Sequence, residues 1–410
     1  MPALSPRPFL DALYRDTLVA LHPERAVHQT LDGLWGDGTP SGPVHLLGLG
    51  KASHLMCVSA LRWLDEHDAP TVAGGVCVTH DEQAVAPGPL RLLVGDHPTP
   101  GPRSLAAADA VGEYIALHVH DGDHVLVLLS GGTSSLIGAP TEGMSFEVFA
   151  ATSDALLRSG LSINQINRQR RQLSRWGGGR LGTALQARGA RVQVLVISDV
   201  IGDELAAIGS GPCMPDAGGS APPIPHHVIG SNRAAREMVV RLAKERGVIP
   251  LLVAEPLHGD VAICAERISL ALLTHASQAR SGGVSHLPRL ICWGGEPTVI
   301  LSGLSAPPGG RMQALSLTLA RLLHDAGDDA RSITVLAAGT DGRDGATDAA
   351  GAIVDARTWS AIRSLARTPE QDLAAFRSHD ALAAVHALLP AFASGTNVND
   401  LVIALVQHES

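Results

Sequence analysis

Lys51 and Lys244 are the only lysines among the 31 basic residues of this 410-residue chain; every other one is arginine. Lys51 sits in the turn Gly48-Leu-Gly-Lys-Ala-Ser53, directly after the apolar run Val44–Leu49. A composition that uses arginine nearly everywhere yet keeps an ammonium in a glycine turn points to a need for a compact point charge. Phosphate and carboxylate oxygens are the groups such a charge meets. The alternative is a solvated residue of a first helical turn. Gly48-x-Gly50-x-x-Ser53 imitates a dinucleotide fingerprint but closes on serine, and Asp65, Glu66 and Asp68 fall in or just after a helical pattern instead of at a second strand end. No P-loop is present, since Gly50-Lys51 is followed by Ala52 and lacks an upstream glycine at the required spacing.

Two further loops carry chemistry of the same kind. Ser130-Gly131-Gly132-Thr133-Ser134-Ser135 offers backbone amides and hydroxyls to one anion, because glycine lets main chain approach closely. Ser198-Asp199-Val-Ile-Gly-Asp203-Glu204 places three carboxylates within a few residues, where oxygen ligands for Mg²⁺ or a base for a hydroxyl are expected. Asp199 is the leading carboxylate, while Asp203 and Glu204 also suit a helix cap. Gly209-Ser210-Gly211 follows as a second close-approach turn. In the second half, Arg311 opens a helical pattern after Gly309-Gly310, placed to grip a carboxylate or phosphate with two donors or to serve as an interdomain salt bridge. Glu296, in Trp293-Gly-Gly-Glu-Pro-Thr298, follows a strand, and Asp341, Arg343 and Asp344 share the loop Gly339–Asp348. That loop lacks the glutamate of a calcium-binding EF-hand. His97 lies in the proline-rich Gly95–Pro100, to orient a substrate or close a turn.

The elements that must hold these loops are short apolar runs alternating with helical patterns, which predicts α/β units around largely parallel sheets. The spacing predicts strands at Val44–Leu49, Val72–Val78, Leu90–Val94, His124–Ser130, Val192–Ser198, Arg289–Trp293, Ile333–Ala338 and Leu401–Val406. Helices are predicted at Ser104–His118, Phe146–Arg158, Ser231–Arg246, Asp260–Ala279 and Met312–Asp325. Gly218–Pro225 reads as a flexible connection and Ser305–Gly310 as a mobile loop. The chemistry-bearing loops then leave the carboxyl ends of strands, where α/β sheets bind ligands.

The chain is too long for one ordinary core, and two domains are expected. Hydrophobic residues make up 45% and charged residues 17%, enough for dry cores. A net charge of −9 and 3% aromatic residues supply neither a basic stripe nor stacking platforms, so nucleic acid is excluded as a partner. Five scattered cysteines without a C-x-x-C pair suggest a reducing compartment. With no signal-like or spanning segment either, the expected setting is cytoplasmic, with no membrane association.

Taken together and in order, Gly48–Ser53, Gly95–Pro100, Leu129–Ser135, Ser198–Asp203, Gly209–Pro212, Gly309–Arg311, Gly339–Gly342 and Ser394-Gly-Thr-Asn-Val-Asn-Asp400 resemble the glycerate 2-kinase family with a MOFRL C-terminal domain. The resemblance covers nearly the whole chain. It implies ATP-dependent phosphorylation of D-glycerate at its 2-hydroxyl, in a cleft between two Rossmann-like α/β domains. The implied organisation is a kinase domain over 1–235, a connecting segment over 236–288 and a MOFRL domain over 289–410, with a homodimer left open. The family's catalytic lysine and arginine fall on Lys51 and Arg311, with Arg343 as rival for the second role. Ser130–Ser135 and Gly209–Gly211 would cradle ATP, and Asp199 with Asp203 or Asp341 would hold Mg²⁺. Substrate contacts would come from Lys51, His97, Glu296, Arg311, Arg343 and Asn397. Members are often labelled hydroxypyruvate reductases, so an NAD(P)H-dependent reductase is the competing activity, and a non-catalytic sensor the third. The chain departs from the family at Met312, where asparagine is usual, and at Cys213, where threonine is usual. Both changes remove a hydrogen-bonding side chain and bear on substrate preference.

Overall fold

The computed structural model describes residues 5–36, 38, 40–67, 72–159, 163–215, 222–280, 287–300 and 309–407. It forms two compact units, His22–Ser231 and Met1–Leu21 with Asn232–Ser410. The sequence-derived connection Gly218–Pro225 and loop Ser305–Gly310 lie in part outside the described residues.

The first unit is built on six strands: β1 Val44–Leu49, β2 Val72–Thr79, β3 Leu90–Val94, β4 His124–Ser130, β5 Arg191–Ile197 and β6 His226–Gly230. They pair in the order β3-β2-β1-β4-β5-β6, all parallel. This is the doubly wound order, and its direction of growth reverses between β1 and β4. Both central strands are covered on both faces, which is why they read in sequence as unbroken apolar runs. Leu47, Leu49, Val127 and Leu129 are fully or almost fully buried, each contributing roughly 1.5–3 kcal/mol of transfer free energy. Register pairs Leu49 with Leu129, so the loops after β1 and β4 leave the sheet level with each other at the reversal point. Such a point opens a crevice that no strand fills.

The second unit has seven strands: β7 Ile249–Leu252, β8 Leu257–Asp260, β9 Arg289–Thr298, β10 Ile333–Gly339, β11 Ala349–Asp355, β12 Leu388–Pro390 and β13 Asp400–Val406. The order is β12-β11-β10-β13-β9-β7, with β8 beside β9. The α/β class holds, but the expectation of a largely parallel sheet does not hold here: β10 runs antiparallel to β11 and β13, and β13 antiparallel to β9, while β7 and β8 each pair parallel with β9. β10 and β13 are buried throughout, and an apolar run records burial, not strand direction. The loop 340–348 is too short for a helical crossover and folds β11 back beside β10.

The division into compact units places Met1–Leu21 with this second unit. Helix Pro6–Ala20 buries Leu10, Leu13, Tyr14 and Leu18 on one stripe, and the Tyr14 hydroxyl donates to Gly339 O at 2.5 Å. Segment 236–288 supplies helix Val261–Arg280 and strands β7 and β8 to the second unit.

Candidate functional site

In the first unit the loops after β1 and β4 are tied together by backbone and hydroxyl. The amide of Lys51 donates to Gly131 O at 2.9 Å, and the amide of Ala52 to Ser130 Oγ at 3.0 Å. Thr133 Oγ1 donates to Leu49 O and Ser130 O, both at 2.8 Å. Gly50 takes a positive φ of 124° and lies so close to Ser130 that a Cβ there would overlap the serine. The Lys51 side chain is thereby laid over Gly132: a Cβ on Gly132 would stand 3.1 Å from Lys51 Cγ and 3.3 Å from His97 Cδ2. Asp199 comes in from β5, its carboxylate occupying the space a side chain on Gly131 would fill. Lys51 and His97 therefore meet over Gly132, and Asp199 stands against the adjoining Gly131.

The electrostatics there are cationic. Burial lowers His97 to about 4, reinforced by the Lys51 ammonium, His80 and the Arg170 guanidinium, so its imidazole is neutral near pH 7. His80 is lowered by burial and by Lys51, with Asp81 opposing. Among the described residues Lys51 has no carboxylate within ion-pair distance. His80 and Arg170 were not singled out in sequence. Arg170 sits in the run Arg168-Gln-Arg170-Arg171 of helix Ile163–Leu173, where exposed Arg168 and buried Arg170 and Arg171 look alike on paper.

The hydroxyls of 130–135 are used differently from the expectation that several face one anion. Ser130, Thr133 and Ser135 are buried, and their hydroxyls hold the backbone, Ser135 Oγ donating to Pro98 O at 2.5 Å. Ser134 is half-buried, its Oγ 2.8 Å from Ser210 Oγ, which joins this loop to the Gly209–Gly211 turn. All three residues of that turn take positive φ, 57°, 63° and 57°, and Ser210 has no glycine excuse for it. The amides of Ser210 and Gly211 already donate to Ala207 O and Ile208 O.

In the second unit Arg311 is engaged. Its Nε donates to Asp400 Oδ2 at 2.6 Å, its Nη2 to Asp400 Oδ1 at 3.3 Å and its Nη1 to Glu296 Oε1 at 3.0 Å. The start of its helix, Arg311–Asp325, is filled by Asp344, which accepts from the amides of Met312 at 3.1 Å and Gln313 at 2.7 Å. Burial pushes Asp344 up to about 6 against those donors, and pushes Asp400 up against the pull of Arg311. The two-point contact is that of an ionised Asp400, and its carboxylate, with Glu296, more than offsets the effect of burial on Arg311 and holds the guanidinium charged. Asp341 and Arg343 are exposed, Asp341 Oδ1 accepting from the Arg343 amide at 3.1 Å. Asn397 is half-buried and accepts from the Asn399 amide at 3.3 Å. Cys213 and Met312, the two departures from the family pattern, are both fully buried.

Among the described residues no three His, Cys, Asp or Glu side chains converge on a metal-sized space. All five cysteines are free and buried. No helix among the described residues is long and apolar enough to cross a membrane.

The model of a family described as a domain of unknown function (DUF4147) matches residues 9–248, and that of the MOFRL family matches 289–400. A D-glycerate 2-kinase of Thermotoga maritima is 32% identical over 96% of this chain and 97% of its own length. The chain belongs to the glycerate 2-kinase family. A crystal structure of glycerate kinase from Thermotoga maritima aligns with a TM-score of 0.84 at 30% identity, covering 97% of this chain and 99% of that one. The family also reaches a protein of Agrobacterium vitis named "Putative hydroxypyruvate reductase", 31% identical over 90% of this chain and 88% of its own length. For a glycerate 2-kinase family member, the β1 turn is notable for what it has already spent. The amides of Lys51, Ala52 and Ser53 all donate within the protein, to Gly131 O, Ser130 Oγ and Gly50 O.

Proposed function

We propose that the protein transfers the γ-phosphoryl group of ATP to the 2-hydroxyl of D-glycerate, giving 2-phosphoglycerate and ADP. The observation that carries this reading is Lys51. Its ammonium lacks a carboxylate partner among the described residues, and its side chain lies over Gly132 beside the neutral imidazole of His97, with Asp199 against the adjoining Gly131. Phosphoryl transfer asks for little covalent chemistry; it needs in-line positioning and cations where charge gathers on the transferring group. Lys51 supplies that charge. Neutral His97 accepts a hydrogen bond from the substrate hydroxyl and orients it. The Ser134–Ser210 pair and the amides opening the Thr133–Leu136 turn meet phosphate oxygens.

The proposed donor carries Mg²⁺ on its own phosphates, and one protein carboxylate is enough for it. The space against Gly131 that only a glycine leaves open fits Asp199 for that task, and the ion would neutralise phosphate charge there. Asp203 and Asp341 have no such supporting geometry. In the second unit Arg311, held by Asp400 and Glu296, presents an ordered guanidinium edge for a substrate carboxylate. Asn397 and Arg343 stand in neighbouring loops of that unit and complete the proposed substrate contacts.

The reductase reading gains from the sheet order, which is that of dinucleotide-binding folds. It loses on the turn itself, because the amides a pyrophosphate would take from Lys51 to Ser53 are already bonded within the protein. The test incubates purified protein with ATP, Mg²⁺ and D-glycerate and resolves 2-phosphoglycerate from 3-phosphoglycerate, beside NADH with hydroxypyruvate. Formation of 2-phosphoglycerate is expected; NADH consumption without phosphoglycerate would overturn the kinase reading.

A further inference from the structure

Arg170 and Arg171 are neighbours on helix Ile163–Leu173, equally buried at 8% exposure, and treated in opposite ways. Arg171 is engaged: Nη1 donates to Ala206 O at 2.7 Å and Nη2 to Met214 O at 3.1 Å, fastening the helix to the segment around Gly209–Gly211. Arg170 keeps a buried Nη2 with no hydrogen-bond partner. Its charge acts on His97, which shares the surface of Gly132 with Lys51. Burial also lowers Arg170 from the usual guanidinium range, with no counter-charge opposing it. A guanidinium nitrogen that has given up water without gaining an acceptor is a costly arrangement unless a ligand supplies the acceptor. The planar fork complements a group presenting two oxygens in one plane, as carboxylates and phosphates do.

We propose that Arg170 and Lys51 form an oxyanion receptor in the first unit, Arg170 supplying the oriented donors and Lys51 the point charge. The receptor binds a carboxylate or phosphoryl group of a substrate. It rests on the assignment of Lys51 above but not on which substrate is used. Arg170 binds ligand directly, and its loss acts on affinity before it acts on turnover.

The experiment titrates wild type, Arg170→Gln, Arg170→Met and Arg170→Lys separately with D-glycerate, ATP, malonate and inorganic pyrophosphate by calorimetry, without turnover. Thermal unfolding is followed on the unliganded proteins. The glutamine and methionine variants are expected to bind one class of oxyanion about 10- to 100-fold more weakly, as loss of a charge-assisted hydrogen bond implies, with lysine between. Weakening confined to D-glycerate and malonate identifies a carboxylate; weakening confined to ATP and pyrophosphate identifies a phosphate. Arg170→Met should unfold at the same or a higher temperature than wild type, because it removes an unpaired buried charge. A merely structural arginine would lower that temperature and leave both ligand classes alike, which would overturn the receptor. Equal affinities of folded Arg170→Gln and wild type for all four ligands would do the same, as would wild type binding none of them. Should the glutamine and methionine variants not fold, the lysine variant decides, and wild-type affinity in it overturns the proposal. If wild type binds malonate or pyrophosphate but neither D-glycerate nor ATP, the kinase reading falls, and the receptor is judged on those two probes alone.

Discussion

Lys51 and Arg311 were expected from sequence to do the same work, and their surroundings are opposites. Lys51 stands among a neutral His97, a neutral-leaning His80 and a cationic Arg170, with no carboxylate in ion-pair reach among the described residues. Arg311 is clasped by Asp400 on one edge and Glu296 on another. A cation in the first setting offers its whole charge to an incoming anion. One in the second has traded most of its charge for a fixed orientation. The first unit thus concentrates positive potential at the reversal point of its sheet, and the second spends carboxylates to hold one guanidinium still.

The contrast breaks most directly at Lys51. Lys51→Ala should lower kcat by about three orders of magnitude, roughly 4 kcal/mol of transition-state stabilisation, with an unchanged unfolding temperature. Turnover near that of wild type would remove Lys51 from the chemistry. Arg311→Ala should show itself in stability as well as in a raised KM for D-glycerate. It strands Asp400, whose side chain is 4% exposed, and should cost about 2–3 kcal/mol in urea unfolding, less than a fully buried pair because the Arg311 side chain is 35% exposed. Replacing Arg311 and Asp400 together by leucine should recover most of that loss, and failure to recover would mean the pair does more than neutralise itself.

pH sharpens the same comparison. His97 is held at about 4, so its imidazole should stay uncharged between about pH 5.5 and 8 and contribute no pH dependence to the affinity for D-glycerate over that range. Burial raises Asp344 to about 6, above the usual carboxylate range. The contribution of a raised carboxyl is complete below the unfolded value and is lost as pH rises through the folded one. Its share of stability should therefore fall between about pH 4 and pH 6 and be gone above that. Asp344→Asn should flatten that slope in urea titrations while leaving the first-unit affinities alone. The smallest effect expected is that of Ser134→Ala, which removes one hydroxyl of the Ser134–Ser210 pair and should raise KM for ATP by about 3- to 10-fold, on the order of 1 kcal/mol.

Much of this was legible beforehand where local signals and burial agree. Strands β1, β3 and β4 fall where their apolar runs end, and helix Phe146–Arg158 falls on its periodicity to the residue. β11 was missed because Ala349-Ala-Gly-Ala352 looks like neither a strand nor a helix; it is a strand because β10 and β12 flank it. Arg170 was missed because its burial and its unpaired nitrogen come from packing against other segments, and no spacing in its own helix encodes either. Asp344 and Asp400 stood in motifs that had been noticed, but their task of capping one helix and clasping one arginine links residues about 30 and 90 positions apart.

By itself the sequence determined the loop chemistry, the α/β class and the family, because turn glycines, apolar runs and a rare lysine act over a few residues and survive without knowledge of neighbours. Tertiary structure decided strand direction in the second sheet, the placement of residues 1–21 with that unit, and which cations are paired and which are free. Those depend on what lies across a sheet or beneath a helix, and desolvation and ion pairing are properties of that surrounding, not of the residue that feels them.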